Sequence, residues 1–475
     1  MIRVAALIIA LGIVCAAASL PASADGTLIG VRYSIAPEKV RVVLDLPQST
    51  VFTDHSTPWQ VQISLDVPLV EALPVITLGD PVAESISVAP DADGHAQLTI
   101  SLKKSRKYSV FTLRPLGDRP DRLVVDIIKR FRREETRALS PAITYTRLEQ
   151  QTDDRYLVVH FVEIDANDPK VHLGVTAAQG ERERVNAMVT RTGAVCGVNG
   201  GYFMEATRPV GLLKADGQIL SLPIWGRTAA AFPPSGAPVL GNPRGVWRVT
   251  LPDNTTRDLP DALDASILDT APGVIVYSAD PFIRVPANPG GFTVLLQNGK
   301  VVSRSSDIMP LAPGDIALRL TGEDAAALDA LLAVDAVVTA APVLDPAWQE
   351  FPGAVGAGPR LLRNGDLAIS GQEERFKPDI LQGRHARTGL GVTARGGVVL
   401  AVVEAPCPYG GGATLEELAA LLKARSAVDG LNLDGGGSST LAIGDATVNY
   451  PPNTWIRPVA SGVLVYDERV QAAGR

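Results

Sequence analysis

The sequence predicts two β-rich units in series: an N-terminal β-sandwich, then an α+β domain in which a mixed sheet carries few helices. Three observations predict it. At 475 residues the chain exceeds one ordinary hydrophobic core. Its 36 prolines and 44 glycines are scattered among short apolar runs, which favours turns and short strands over long helices. A content of 46% hydrophobic and 20% charged residues excludes a mostly disordered chain. The formal charge of −7 excludes a general nucleic-acid binder, which needs a basic surface to neutralise phosphates.

Residues 1–24 read as a signal peptide, with Arg3 as the positive start, an apolar run from Val4 to Leu20, and Ala22-Ser23-Ala24 as the small-residue cleavage site. The expected location is therefore periplasmic or secreted. An uncleaved membrane anchor is the other reading, because the run approaches spanning length. Cys15 lacks the leucine and small-residue pattern of a lipoprotein signal.

Residues 25–130 carry short β-type runs: VRYSI, VRVVLDL, VQISLDV, AQLTISL, YSVFTL and RLVVDII. The alternation in VRVVLDL and AQLTISL suits a sheet with one buried face. VRVVLDL and RLVVDII end in similar chemistry, at Asp45 and Asp126, as opening and closing strands of one sandwich would. Between Lys103 and Arg133 eleven Lys or Arg stand against three Asp, a patch able to meet an anionic polymer or simply to solvate a strand face and a basic linker. Residues 131–145, with the mixed-charge run RREETR, are expected as a linker.

Residues 146–475 alternate β-like runs with helical patterns at 181–192 and 414–426. In the latter Thr414 and Glu417 form a capping box and Leu415, Leu418, Leu421 and Leu422 a stripe. A third candidate helix spans 322–334, and an inserted subdomain near 240–345 fits the length.

HExxH, the P-loop pattern and G-x-S-x-G are absent, which removes P-loop NTPases and α/β-hydrolases. Four segments instead place polar residues among glycines at the end of apolar runs: VCGVNGGYF, VGAGPRLLRNG, HARTGLGV and LNLDGGGSSTLAI. Each strand delivers Asn199, Arg360, Arg387 or Asp434 to a loop whose glycines admit a ligand close to the backbone. A tight turn with a capping Asn or Asp explains any one of them alone. Four in one domain point to a shared site.

In order, N-G-G-Y-F, G-x-G-P-R-L-L-x-N-G, H-x-R-T-x-x-G and L-N-L-D-G-G-G-S-S-T, followed by RPVASGVLVY, resemble the phosphodiester glycosidase family that includes the lysosomal uncovering enzyme. The resemblance runs from about residue 145 to 467. It implies hydrolysis of a sugar-1-phosphodiester, in bacterial relatives in an exopolysaccharide or envelope setting. It also implies catalysis by Asp434, with Glu404 second, and substrate binding by Asn199, Gly200, Arg360, His385, Arg387, Thr388, Gly436, Ser438 and Ser439. The chemistry is consistent: an oxocarbenium-like transition state calls for a carboxylate near the ring and guanidinium groups on the phosphate. One departure stands out, since Glu404 is followed by Ala405-Pro406-Cys407-Pro408-Tyr409 where the family commonly has Gly-Arg. Arg41–Leu46, Phe111–Leu113 and Arg122–Ile127 resemble the AMIN domain, which implies a peptidoglycan or other envelope-polymer partner for the first unit.

Two rivals remain at this level: an inactive carbohydrate-binding or envelope assembly protein that keeps the pocket, and a phosphodiesterase attacking phosphorus. No cofactor is implied, and a metal requirement is left open because one carboxylate falls short of a calcium shell. Cys196 and Cys407 form either one disulfide or two free thiols.

Overall fold

The computed structural model describes Leu28 and residues 30–152, 155–204, 209–271, 273–279, 284–405, 411–450 and 455–473. The expected signal peptide, Cys15, Cys407 and most of the 404–412 loop lie outside the described residues. The chain divides into two units, one comprising residues up to 133 with 149–157, the other 134–148 and most of the chain from 158 onward.

The first unit is a sandwich of two antiparallel sheets. Gly30–Ile35, Lys39–Leu46, Asp121–Ile128 and Tyr108–Leu113 form one in that order; Phe52–Asp54, Gln60–Pro68, His95–Leu102, Ala83–Pro90 and Ile76–Thr77 form the other. Alternation does what the sequence requires: Ala96, Leu98, Ile100 and Leu102 are buried while their neighbours stay partly exposed. These side chains share one core with Val42, Leu44 and Val125 of the facing sheet, each Leu or Ile contributing about 2 kcal/mol by leaving water.

The two similar motifs are neighbouring strands, with Arg41 opposite Asp126 and Asp45 opposite Arg122. Arg41 donates twice to Asp126, at 2.6 and 2.7 Å, and Lys39 Nζ adds a third bond at 2.8 Å. Burial pushes the Asp126 carboxyl up, yet these cationic donors outweigh it and hold the group below its ordinary value. Part of the basic run is engaged inside the unit: Lys129 pairs with Asp80, Lys107 with Glu149, and Lys103 donates to the Asp80 carbonyl.

The second unit holds most of an eight-stranded sheet that runs in the order Phe131–Ser140, Ile143–Gln151, Tyr156–Ile164, Val398–Val403, Arg387–Thr393, Ala427–Asn432, Arg360–Arg363 and Asp366–Leu367. Most of the segment 131–145, expected as an irregular linker, is therefore strand. Phe131–Ser140 lacks apolar periodicity because it is the sheet's edge and is largely exposed, where charged side chains are tolerated. A five-stranded sheet orders Val171–Ala177, Ser461–Asp467, Cys196–Asn199, Leu441–Ile443 and Ala446–Thr447. The two sheets share a core that includes Val162, Leu390, Leu400, Leu431, Val198 and Val463.

The helix Leu415–Ala424 has the expected capping box and buries Leu415, Leu418, Ala419 and Leu422. The helix expected at 181–192 begins at Val185 and ends at Gly193, whose φ of 70° suits the left-handed cap that glycine adopts without strain. Of the candidate at 322–334 only Gly322–Leu328 is helical. Between residues 240 and 345 lie further antiparallel ladders, such as Gly245–Thr250 with Thr339–Leu344, and their core includes Leu212, Leu222 and Ala229 from the flanking chain.

Candidate functional site

Strand ends from both sheets meet at Asp434. The strand Ala427–Asn432 runs on so that Leu433 N–H bonds the Thr388 carbonyl at 2.9 Å and Gly436 N–H bonds the Ala386 carbonyl at 2.8 Å. Asp434 N–H bonds the Gly200 carbonyl at 3.1 Å, and Gly200 N–H bonds that of Ser461 at 2.8 Å. A Cβ on Gly200 would collide with the Ser461 side chain, so this close approach requires glycine.

Asn199 fastens the junction. Fully buried, it donates to the Asp434 carbonyl at 2.7 Å and accepts from Thr388 Oγ1 at 2.8 Å and from Thr440 N–H at 3.1 Å. Its amide and the Thr388 hydroxyl are thus engaged within the protein; they position Asp434, whereas the sequence suggested binding of substrate.

The Asp434 carboxyl accepts from Gly435 N–H at 2.9 Å. Burial pushes it up to about 6, against the opposing pull of the Ser438 hydroxyl, the Gly435 amide and the Arg457 charge. Arg387, itself buried, donates to the backbone carbonyls of Ala413, Ile380 and Gly383 at 3.1, 3.0 and 3.4 Å. Among the described residues no carboxylate hydrogen-bonds its guanidinium, and burial lowers its pKa from the ordinary arginine value. Its five N–H groups exceed these three bonds.

Tyr202 ties the cluster together. It donates to the Gly358 carbonyl at 2.8 Å and accepts from Asn432 Nδ2 at 2.9 Å. Burial first, and then the Asp434 charge, raise its pKa, so it stays a neutral phenol. Arg387 and Arg227 act on it from the other side of the charge balance. Arg227 stacks on Phe376 at 4.2 Å and, like Arg387, is held by backbone carbonyls, those of Glu374 and Arg375. Arg457 lies over the Phe203 ring at 5.0 Å. Gly358, at a φ of 112°, has no room for a side chain against Glu374 and Phe376.

Three expected residues, Arg360, His385 and Glu404, stand apart. Arg360 pairs with Asp429 at 2.6 Å and with the Leu362 carbonyl. Asp429 stands opposite Val392, five positions along the strand from Arg387, or about 17 Å at the usual rise. Its charge is therefore neutralised away from Asp434. His385 is exposed and bonds the Gln382 carbonyl. Glu404 is buried and its carboxylate takes His160 Nε2 at 2.8 Å and Tyr450 N–H at 2.7 Å. Gly436 and Ser438 form the turn directly after Asp434, capped by Ser439, which is buried and whose hydroxyl has no hydrogen-bond partner among the described residues.

Sequence reasoning missed Tyr202, Arg227, Asn432 and Arg457. Tyr202 stood inside the motif N-G-G-Y-F and Asn432 beside Leu433-Asp434, so proximity to a motif was their signal; Arg227 had none. Among the described residues no His, Cys, Asp and Glu gather as a metal shell. Cys196 is a free thiol pushed up to about 12 by burial, hence inert. A cavity of about 200 Å³ bordered by Trp247, Asp261 and Asp315 contains none of the Asp434 cluster.

A sequence model of the phosphodiester glycosidase family matches residues 273–466, a segment that holds Arg387 and Asp434 but not Asn199, Tyr202 or Arg227. No curated protein sequence matches the chain. Among solved structures, a hypothetical protein from Synechocystis is similar at TM-score 0.61 and 21% identity, over 93% of this chain and 80% of that one. A putative exported protein from Burkholderia pseudomallei is similar at TM-score 0.52 and 16% identity, over 88% and 97%. These two share the fold. The zebrafish N-acetylglucosamine-1-phosphodiester alpha-N-acetylglucosaminidase catalytic domain aligns at TM-score 0.39 and 16% identity over 70% and 88%, too distantly to guide the geometry.

Proposed function

We propose that the second unit hydrolyses a sugar-1-phosphodiester at the anomeric carbon. The observation that carries this reading is the conjunction of a half-buried carboxyl, Asp434, with the buried guanidinium of Arg387, which donates to three backbone carbonyls and, among the described residues, to no carboxylate, the two being joined where Gly436 N–H bonds the Ala386 carbonyl. The family match at residues 273–466 supports it.

As the anomeric C–O bond breaks, its electron pair leaves with the phosphate and positive charge grows on the sugar ring. The Asp434 carboxylate stabilises that charge, or takes a proton from the attacking water; Arg387 holds the departing phosphate through its remaining N–H groups. Water delivers hydroxyl to the anomeric carbon, and the products are the free sugar and a phosphate monoester. With a folded value near 6, Asp434 is largely ionised at neutral pH, as either role requires.

The setting we infer is the periplasm or the extracellular space, on the strength of residues 1–24, with an envelope polysaccharide as substrate and the sandwich as a module for peptidoglycan or another envelope polymer. Hydrolysis in ¹⁸O water tests the chemistry. Label in the sugar is expected; label in the phosphate would replace glycosidic cleavage with attack on phosphorus.

A further inference from the structure

Behind the Ser438-Ser439 turn runs a chain of buried polar contacts. Tyr145 Oη lies 2.8 Å from His160 Nδ1, and His160 Nε2 lies 2.8 Å from Glu404 Oε1. The same oxygen accepts Tyr450 N–H at 2.7 Å. The adjacent residue, Asn449, donates to the Ser439 carbonyl at 3.0 Å and accepts Leu441 N–H at 2.7 Å. Tyr145, His160, Glu404 and Asn449 are all buried, and all belong to the second unit.

A tautomer of the His160 ring in which Nδ1 accepts and Nε2 donates satisfies the chain. In a neutral imidazole one nitrogen donates and the other accepts. With the Tyr145 hydroxyl donating to Nδ1, Nε2–H donates to Glu404, and Glu404 Oε1 serves as acceptor for both His160 and Tyr450. Burial raises the Tyr145 pKa, which keeps that hydroxyl a donor.

The geometry points to Glu404 as a positioning residue: through Tyr450 and Asn449 it fixes the Ser438-Ser439 turn beside Asp434, and it does not itself take part in bond breaking. This inference rests on the glycosidase reading. A catalytic Glu404 needs its charge or its proton, whereas a positioning Glu404 needs only an acceptor at Oε1, which glutamine also supplies.

Steady-state kinetics of the full chain on a methyl sugar-1-phosphodiester separate the two. Glu404→Gln is expected to stay within about threefold of wild type in kcat and KM and to keep the same pH profile. Glu404→Ala, which leaves Tyr450 N–H and His160 unpaired, is expected to raise KM for the diester about tenfold while inhibition by free sugar is unchanged. Asn449→Ala cuts the chain at its other end and should reproduce that KM rise, so the inference stays testable if the first alanine variant fails to fold. A loss of more than about a hundredfold in kcat for a folded Glu404→Gln would make Glu404 catalytic and overturn the inference; so would an unchanged KM in Asn449→Ala. If the wild type hydrolyses no diester, the glycosidase reading fails, and positioning is read instead from calorimetric binding of inorganic phosphate. There Glu404→Ala should weaken binding and Glu404→Gln should not, and any other pattern, including no binding, overturns it.

Discussion

Replacing Asp434 by Asn should make the protein more stable and less active, with the gain in stability depending on pH. Burial raises this carboxyl from 3.8 to about 6, so the folded protein binds the proton more tightly than the unfolded chain. Stability from that proton is fully present below the unfolded value and is lost as pH rises through 6. A shift of roughly two units corresponds to about 3 kcal/mol. Asparagine mimics the protonated acid, still offers an oxygen to Gly435 N–H, and has no charge to desolvate. Chemical denaturation of wild type and Asp434→Asn at pH 4 and pH 7.5 should therefore show a stability difference that grows by up to about 3 kcal/mol in favour of the variant at the higher pH. The same variant should lose at least about a hundredfold in kcat with near-normal substrate affinity. A stability difference that is equal at both pH values, or that reverses, would refute the argument that burial raises the Asp434 carboxyl above its unfolded value; full turnover in the folded variant would refute its proposed catalytic role.

Arg387→Ala should weaken binding of a sugar-1-phosphodiester by roughly tenfold to a hundredfold, measured against the free sugar, since a charged hydrogen bond is lost only for the phosphate. Arg360→Ala should leave that affinity unchanged in binding assays but cost about 2 kcal/mol in denaturation, because it strands Asp429 without its partner. In the first unit, Asp126→Asn should destabilise by roughly 1–3 kcal/mol at neutral pH, by weakening its bonds with Arg41 and Lys39. The folded carboxyl sits below its ordinary value, so this stability is present above the unfolded pKa and falls away as pH drops through the folded one. Denaturation curves at pH 7 and pH 3 should accordingly converge for the two proteins.

The strands and caps were legible because they depend on local signals. His95–Leu102 announces itself by alternation, and the helix after Thr414 by its capping box. Asp434 and Arg387 were legible as glycine-flanked charges at strand ends. What those charges touch was not, because partners are set by register between distant strands. Arg360 and Arg387 look equivalent in sequence, yet Arg360 meets Asp429 across a ladder, and Arg387, among the described residues, hydrogen-bonds backbone carbonyls. Asn199 looked like a ligand group until its amide was seen to bridge segments 189 and 241 residues away. Arg227 carries no motif at all, and its place follows from stacking on Phe376. The strand Phe131–Ser140 was missed because an edge position removes the periodicity that marks buried strands.

The strand Ser461–Asp467 lies between Val171–Ala177 and Cys196–Asn199, pairing with both. On a ribosome those two partners, starting at Val171 and Cys196, are made well over 200 residues ahead of the strand that joins them, which starts at Ser461. Until it arrives, each presents a bare edge able to pair with the wrong chain. The same late strand supplies the Ser461 carbonyl that holds Gly200, and Gly200 in turn holds Asp434. A growing chain therefore has no assembled Asp434 junction before residue 467 is in place, and the candidate site is complete only once those bare edges are covered.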